Sequence, residues 1–329
     1  MKSPFTGKEM KRVYEKRTWN FRGEPFEYIH KAWLCEDSGE QFTNDESDTA
    51  AYLQVTNQYR AKYGIPFTDE IIAIRNRYGI SAAKMSQILG IGINQYRLYE
   101  QGEVPNVSNG RMIRSIMNPK VMLEMVESSK NMISPAEYER IISKVYAVIA
   151  DTDNYMMERH DTMRIYPTQR GIDNGYAQLS LPRLKNILLS VLERCSNVWC
   201  TKMNKLLYYI DFLSYREQGI AMTGLIYRAI DFGPVPERWD KIYSEFPEVV
   251  QEIRQCGDFE GSVLIAKGTV DTSILSEKEL DIIHQVCMAL GGMSSRELTL
   301  LSHKEQGWID HQERYDRIPF DSAFELKAI

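Results

Sequence analysis

Two short helices joined by a small glycine-containing turn constrain this chain more than any other feature of its sequence. Thr68 with Asp69 and Glu70 reads as a helix N-cap, followed by Ile71, Ile72, Ile74 and Arg75 at helical spacing and a stop at Tyr78-Gly79-Ile80. Ser81 then caps a helix over 82–89, Gly90-Ile91-Gly92-Ile93 turns the chain, and 94–100 forms the next helix, closed by Gln101-Gly102. After Pro105, Ser108-Asn109-Gly110 opens a fourth helix with Arg111, Met112, Ile113 and Ile116. This is the order of a helix-turn-helix unit, so residues 68–118 read as a DNA-binding domain. Asn94, Gln95 and Arg97, at the start of its second helix, are candidate DNA-binding residues: asparagine can make two hydrogen bonds to adenine, and Arg97 could read guanine or clamp phosphate. Ser81, Lys84, Arg111 and Arg114 suit phosphate contacts, which position a domain without reading sequence. The alternative for the same stretch is a helical packing module with no DNA role.

Before this unit the pattern changes. Residues 12–21 and 26–34 alternate in polarity around Gly23-Glu24-Pro25, which predicts two strands and a turn. The flanks Ser3-Pro4-Phe5-Thr6-Gly7 and Cys35-Glu36-Asp37-Ser38-Gly39 have the form of zinc knuckles in which Ser3, Thr6 and Ser38 stand where cysteines would be. Hydroxyls are poor zinc ligands. Residues 1–50 are therefore expected to be a metal-free, degenerate zinc-ribbon-like β module held by Phe5, Trp19, Phe21 and Trp33, with His30 a strand residue. Residues 51–67 read as a linker helix ending at Tyr63-Gly64-Ile65-Pro66.

Beyond residue 118 the chain is mainly helical. Helices over 120–130 and from Ser134-Pro135 through Ile149, extending toward Met157, form a connector across 119–175. The Gly/Pro/Asn-rich run 166–175 marks its end. Within 176–329, Pro182 opens one helix and Thr201 caps another, carrying Tyr208, Tyr209, Phe212 and Tyr215. Phe232-Gly233-Pro234-Val235-Pro236-Glu237 reads as a rigid turn into a helix with Trp239, Ile242 and Phe246, and 261–266 as a short strand. Helices follow from Ser276 to Gly291-Gly292 and from Ser294 or Ser295. The fold class is mainly α, with a small β module first, a helix-turn-helix bundle in the middle and a mostly helical domain with a short β element last.

Charge and composition fit this division. The formal net charge is −5, yet residues 1–120 hold 17 Lys and Arg against 14 Asp and Glu, and the remainder holds 23 against 31. A basic front and an acidic rear suit nucleic acid at one end and another partner at the other. Five scattered cysteines, Cys35, Cys195, Cys200, Cys256 and Cys287, argue against a disulfide framework and for a reducing, cytoplasmic setting. Neither an apolar run of membrane-spanning length nor a signal-peptide h-region is expected. A nucleotide-binding glycine loop and a nucleophile elbow are missing, so no cofactor and no enzymatic activity are predicted. His303 with Glu305 and Trp308 reads as a structural turn in preference to a catalytic group. His160 and Asp161 could chelate metal, but no ligand set converges on them in the sequence.

Two resemblances follow from these residues. The knuckle-like flanks and the run Asn94-Gln95-Tyr96-Arg97-Leu98-Tyr99-Glu100-Gln101-Gly102 resemble MqsA-type antitoxins, which join a zinc domain to a Xre-like helix-turn-helix. That resemblance implies a base contact from Asn94, and it expects an arginine where this chain has Leu98. Arg97 lies about 100° around the helix from that position and does not simply replace it. Four ordered motifs, Lys202-Met203-Asn204-Lys205-Leu206-Leu207-Tyr208-Tyr209, Phe232–Glu237, Leu275-Ser276-Glu277-Lys278-Glu279-Leu280 and 295–308, resemble the Panacea domain of SocA-like antitoxins. It implies that 176–329 neutralises a cognate toxin protein by direct binding. The helix-turn-helix reading adds operator DNA as a second partner, bound by a homodimer that represses its own operon. A plain transcriptional regulator, or an adaptor delivering a toxin to a protease, are the alternative functions. The aromatics Tyr208, Tyr215, Phe232 and Trp239 are read either as core or as anchors for that toxin.

Overall fold

The computed structural model of the 329-residue chain describes residues 1–155, 169–256 and 259–329. The earlier readings on Met157, His160, Asp161 and residues 166–168 lie outside the described residues. The chain forms two compact units, one of residues 1–55 with 162–329, the other of residues 56–161.

In the first unit, β1 (Lys11–Phe21) and β2 (Glu24–Leu34) pair antiparallel over their whole length, and β3 (Gln41–Phe42) adds to β2. The turn is Arg22-Gly23, one residue earlier than the sequence suggests. Both residues have positive φ, 53° and 85°, the mirror-image turn that matches strand twist. Pro25 instead lies in β2 opposite Asn20. α1 (Asp45–Tyr63) begins earlier than the expected linker helix and runs across the boundary of the two units. Its Gln54 side chain accepts from the Ile29 amide and donates to the Ile29 carbonyl, both at 3.0 Å, as a strand neighbour would.

The rest of this unit surrounds one helix. α8 (Leu181–Arg194) leads to α9 (Cys200–Gln218), in which all but three residues are buried. A helix apolar all round is expected at such a centre, yet α9 carries Lys202, Asn204, Lys205 and Asp211. β4 (Tyr227–Ile230) and β5 (Gly233–Pro236) form a hairpin, followed by the single-turn helix α10 (Trp239–Ile242). The stretch expected to be a rigid turn is thus mostly a strand. Pro234 and Pro236 alternate, and Ala229, opposite Pro234, turns its own N–H away from the hairpin to Asp316 at 3.1 Å. The prolines therefore occupy positions that owe the ladder no donor.

A second hairpin, β6 (Val249–Cys256) with β7 (Phe259–Ala266), extends the expected short strand at both ends. α11 (Glu277–Leu290), α12 (Ser295–Ser302) and α13 (Gln306–His311) complete the unit. Ser276 and Ser294 each accept the backbone N–H three residues on, while Glu279 and Glu297 reach back to them. Thr201 does not cap α9, because the helix already starts at Cys200 with Trp199 in the cap position.

The second unit is helical. α2 (Thr68–Tyr78), α3 (Ala82–Ile88), α4 (Gln95–Glu100), α5 (Val107–Ser115), α6 (Pro119–Ser128) and α7 (Pro135–Tyr155) share a core of Ile71, Ile74, Tyr78, Met85, Tyr96, Ile113, Met122, Ile141 and Val145, among others. Thr68 is the first helical residue and not the cap. Phe67 holds the cap position, and its N–H is taken by Glu70 at 2.7 Å. Tyr96 fixes α4 in place: its amide donates to Ser86 Oγ at 3.0 Å and its hydroxyl to the Ile71 carbonyl at 2.9 Å. Among the described residues of the chain, no helix is long and apolar enough to cross a membrane.

Candidate functional site

Side chains held out from well-fixed elements mark two candidate surfaces, one in each unit. In the second unit, Ser81 caps α3 and Gly90, at φ 64°, turns the chain toward α4. Asn94 and Arg97 are exposed, and Asn94 makes no side-chain cap bond, so both are open to a ligand. Ile93, in the turn before α4, is 77% exposed and Leu98, on α4, is 41% exposed, two apolar side chains in water. Gln95 is tied to Glu103 at 3.0 Å. Arg111 is exposed, while Arg114 lies 3.9 Å from Glu70.

The structure does not leave all the expected contacts free. Ser81 Oγ accepts the Lys84 N–H at 3.3 Å. The Lys84 ammonium is half-buried between Glu137, at 2.9 Å, and Gln87, at 2.8 Å. Both side chains hold α3 in place, and Lys84 would have to leave Glu137 to meet a phosphate. The sequence could not anticipate that pair, because Glu137 lies far along the chain.

Two matching turns stand at the base of the first hairpin. Gly7 donates to the Ser3 carbonyl at 2.9 Å, and Gly39 to the Cys35 carbonyl at 2.8 Å. Both glycines have φ near 70°. Ser3 Oγ and Cys35 Sγ, both buried, meet at 3.1 Å. Hydrogen bonds from Ser3 and Ser38 bring the Cys35 thiol down to about 7. Among the described residues, no group of three or more His, Cys, Asp or Glu side chains could hold a metal ion. The four aromatics expected to hold this module divide: Trp33 is buried with Met10 and Cys35, Trp19 and Phe21 pack edge-on against Tyr52, and Phe5 is 64% exposed.

In the last part of the first unit, buried polar groups fasten α9 to everything around it. Asp211 accepts from the amides of Met222 and Thr223, both at 2.9 Å, from the Tyr227 hydroxyl at 2.6 Å and from the Thr223 hydroxyl. Burial nevertheless pushes its carboxyl up, against those hydrogen bonds. Asn204 accepts from Tyr243 at 2.5 Å, and Lys205 donates to the Pro234 carbonyl at 3.0 Å. Glu305, 1% exposed, takes the Tyr209 hydroxyl and the amides of Lys327 and Ala328. Of these groups Asn204, Lys205 and Glu305 lay in motifs singled out in the sequence, and Asp211 did not. The signal for Asp211 was a polar side chain inside an otherwise apolar stretch of helix.

The four aromatics separate by burial. Tyr208, at 0%, and Tyr215, at 3%, belong to a cluster with Phe212, Tyr227 and Phe320, so a docking partner does not reach them. Phe232 is 68% exposed in the two-residue turn between β4 and β5, and Trp239 is 38% exposed just beyond. That turn is stiff. Tyr315 donates to Asp231 at 2.8 Å, Trp308 Nε1 donates to the Ile230 carbonyl at 2.9 Å, and Arg228 ties Glu237 to the Tyr315 carbonyl. Gly233 is required there, since its φ is 90° and a Cβ would lie 2.6 Å from Ser302 Oγ and 2.8 Å from Lys205 Cε. His303 stacks on Trp308 at 4.0 Å, and burial, then the Lys205 charge, lowers its pKa. Glu305 points elsewhere, to Tyr209 and residues 327–328, so His303 and Glu305 do not form a catalytic pair.

Comparison with known proteins adds one match. Residues 203–309, from the first turns of α9 into α13, match the family model described as "Antitoxin SocA-like, Panacea domain". No curated protein and no solved structure matched the chain.

Proposed function

With an antitoxin SocA-like Panacea domain at residues 203–309 as the premise, we propose that this protein is the antitoxin of a toxin-antitoxin pair and neutralises its toxin by direct binding. The match supports an antitoxin role and a toxin partner. The binding surface we assign is the stiff β4–β5 turn with Phe232 and Trp239. A rigid, exposed aromatic loses little conformational entropy on docking and buries a large apolar area, which is what a binding hot spot needs.

The second unit then serves as a helix-turn-helix repressor. α4 enters the major groove with Asn94 and Arg97 at base edges, Ile93 and Leu98 supply apolar contacts of the kind thymine methyls accept, and Arg111 meets phosphate. A homodimer would set two such helices on a palindromic operator. The paired turns at Ser3 and Cys35 are, on this reading, the remains of a zinc ribbon.

The observation that carries the proposal is the family match over the very elements that hold Phe232 in place. Its test is growth of cells expressing the neighbouring gene, with and without the full chain. Toxicity relieved by this protein is the expected result. A harmless neighbour, or toxicity that the full chain leaves untouched, removes the antitoxin reading and favours a plain regulator.

A further inference from the structure

A cavity of about 760 Å³ opens in the first unit where α9 and α12 begin beside β7. Trp199, Thr201, Lys202, Gly261, Met293 and Arg296 are among the residues that line it. Its size is that of a small-molecule site.

Lys202 is the feature that asks for a ligand. The side chain is 3% exposed, and its ammonium donates to the Gly291 carbonyl at 2.6 Å and the Ser196 carbonyl at 3.0 Å. An ammonium has three N–H donors, so one is unspent. Among the described residues no carboxylate lies within ion-pair distance of it. A buried charge without a counter-ion is costly. Its field reaches Cys195, whose thiol is brought down to about 7 by its hydrogen bond with Cys287 and by Lys202.

Three further features surround that charge. Trp199 offers no side-chain cap to α9, a 19-residue helix, so its first-turn amides take no bond from the cap side chain. Ser295 Oγ, on the cavity wall, is buried with no hydrogen-bond partner among the described residues. The Trp199 ring lies over Gly261, where a Cβ would come within 3.1 Å of it. Of the two carboxylates on the wall, Glu297 is committed to capping α12, while Glu260 is exposed and able to accept from a hydroxyl.

A ligand matching this wall carries an anion for Lys202 and the α9 amides, a flat ring for Trp199 and hydroxyls for Glu260 and Ser295. We propose that the cavity binds a nucleoside phosphate, with its phosphate at Lys202 and its base against Trp199. This site is separate from the Phe232 turn and does not depend on the antitoxin reading.

The test is calorimetric titration of the full chain with AMP, GMP, ATP and GTP, with inorganic phosphate and a short single-stranded oligonucleotide as further arms. At least one nucleotide is expected to bind one per chain, at least tenfold tighter than phosphate, and to change tryptophan fluorescence. Thr201→Glu places a carboxylate at an exposed helix start, where it suits the dipole and preserves the fold. It is expected to weaken the nucleotide at least tenfold with an unchanged melting temperature. Arg296→Glu, on the exposed rim, serves the same purpose if Thr201→Glu lowers the melting temperature. No nucleotide binding at millimolar concentration overturns the proposal, as do phosphate binding equally well, an oligonucleotide binding more tightly, or both variants binding like the parent.

Discussion

The Lys205 amine donates to the Pro234 carbonyl at 3.0 Å, and among the described residues no carboxylate lies within ion-pair distance of it. Burial brings its pKa down from 10.5 to about 7. The unfolded chain therefore holds a proton between those values that the folded chain gives up. Stability from this group rises with pH from about 7 to about 10.5, and its full cost is present below 7. Lys205→Met is expected to flatten that slope and to gain on the order of a few kcal/mol at pH 6, since one pKa unit is about 1.4 kcal/mol. Urea unfolding of both proteins from pH 6 to pH 9 checks it; parallel stability curves would show that the amine titrates normally.

Asp211 gathers four donors in the core, and removing it takes away the acceptor they share. Asp211→Ala is expected to cost about 3 kcal/mol or more, the range for breaking a buried polar network. Thermal unfolding measures the loss. A shift too small to separate from an exposed substitution would mean that water enters and replaces the carboxylate.

The matched turns at Ser3 and Cys35 predict a gain of function. Ser3→Cys, Thr6→Cys and Ser38→Cys, made together in a chain that already has Cys35, supply four thiolates at knuckle spacing. The triple variant is expected to bind one zinc per chain and to melt at a higher temperature with zinc than with chelator. Elemental analysis of the parent should find no stoichiometric zinc. If the triple variant stays metal-free, the turns are not ribbon remains.

Two substitutions on the second unit should separate reading from holding. Asn94→Ala is expected to cost about 1–3 kcal/mol on operator DNA and little on random DNA. Arg111→Ala should weaken both equally and reduce the salt slope by about one. Fluorescence anisotropy at several salt concentrations distinguishes them, and equal losses for Asn94→Ala on both DNAs would deny it a base contact.

Phe232→Ala removes a side chain that is 68% exposed, so stability should change by less than about 0.5 kcal/mol. Toxin affinity is expected to fall by about 2 kcal/mol or more, the size of a hot-spot truncation. Growth rescue and a pull-down with the toxin report the effect. Full rescue by the variant would place the binding surface elsewhere.

What was legible in the sequence was local. The Ser81, Ser276 and Ser294 caps and the two strands β1 and β2 are written within a few residues and reappear in the structure, although the burial along the strands does not alternate. Failures came where a distant residue decides the outcome. Pro234 and Pro236 look like a turn until the hairpin partner shows which N–H groups face away. Tyr208 and Phe232 are equally apolar in sequence, and only packing against Phe212 and Tyr227 buries the first while the hairpin lifts the second into solvent. Lys84 reads as a free cation until Glu137 arrives beside it.

Glu217 accepts from Lys31 and, at 3.1 Å, from Arg12, while Tyr14 meets Phe324 edge-on. These contacts fall inside one unit whose two parts are separated along the chain by residues 56–161. During synthesis the first hairpin must therefore wait for more than a hundred residues before its final neighbours exist. The intervening unit closes mostly on itself, so it can mature first and act as a spacer that bounds how far apart the two halves diffuse. Folding of this protein is then timed from the inside outward, and the segment made first is among the last to settle.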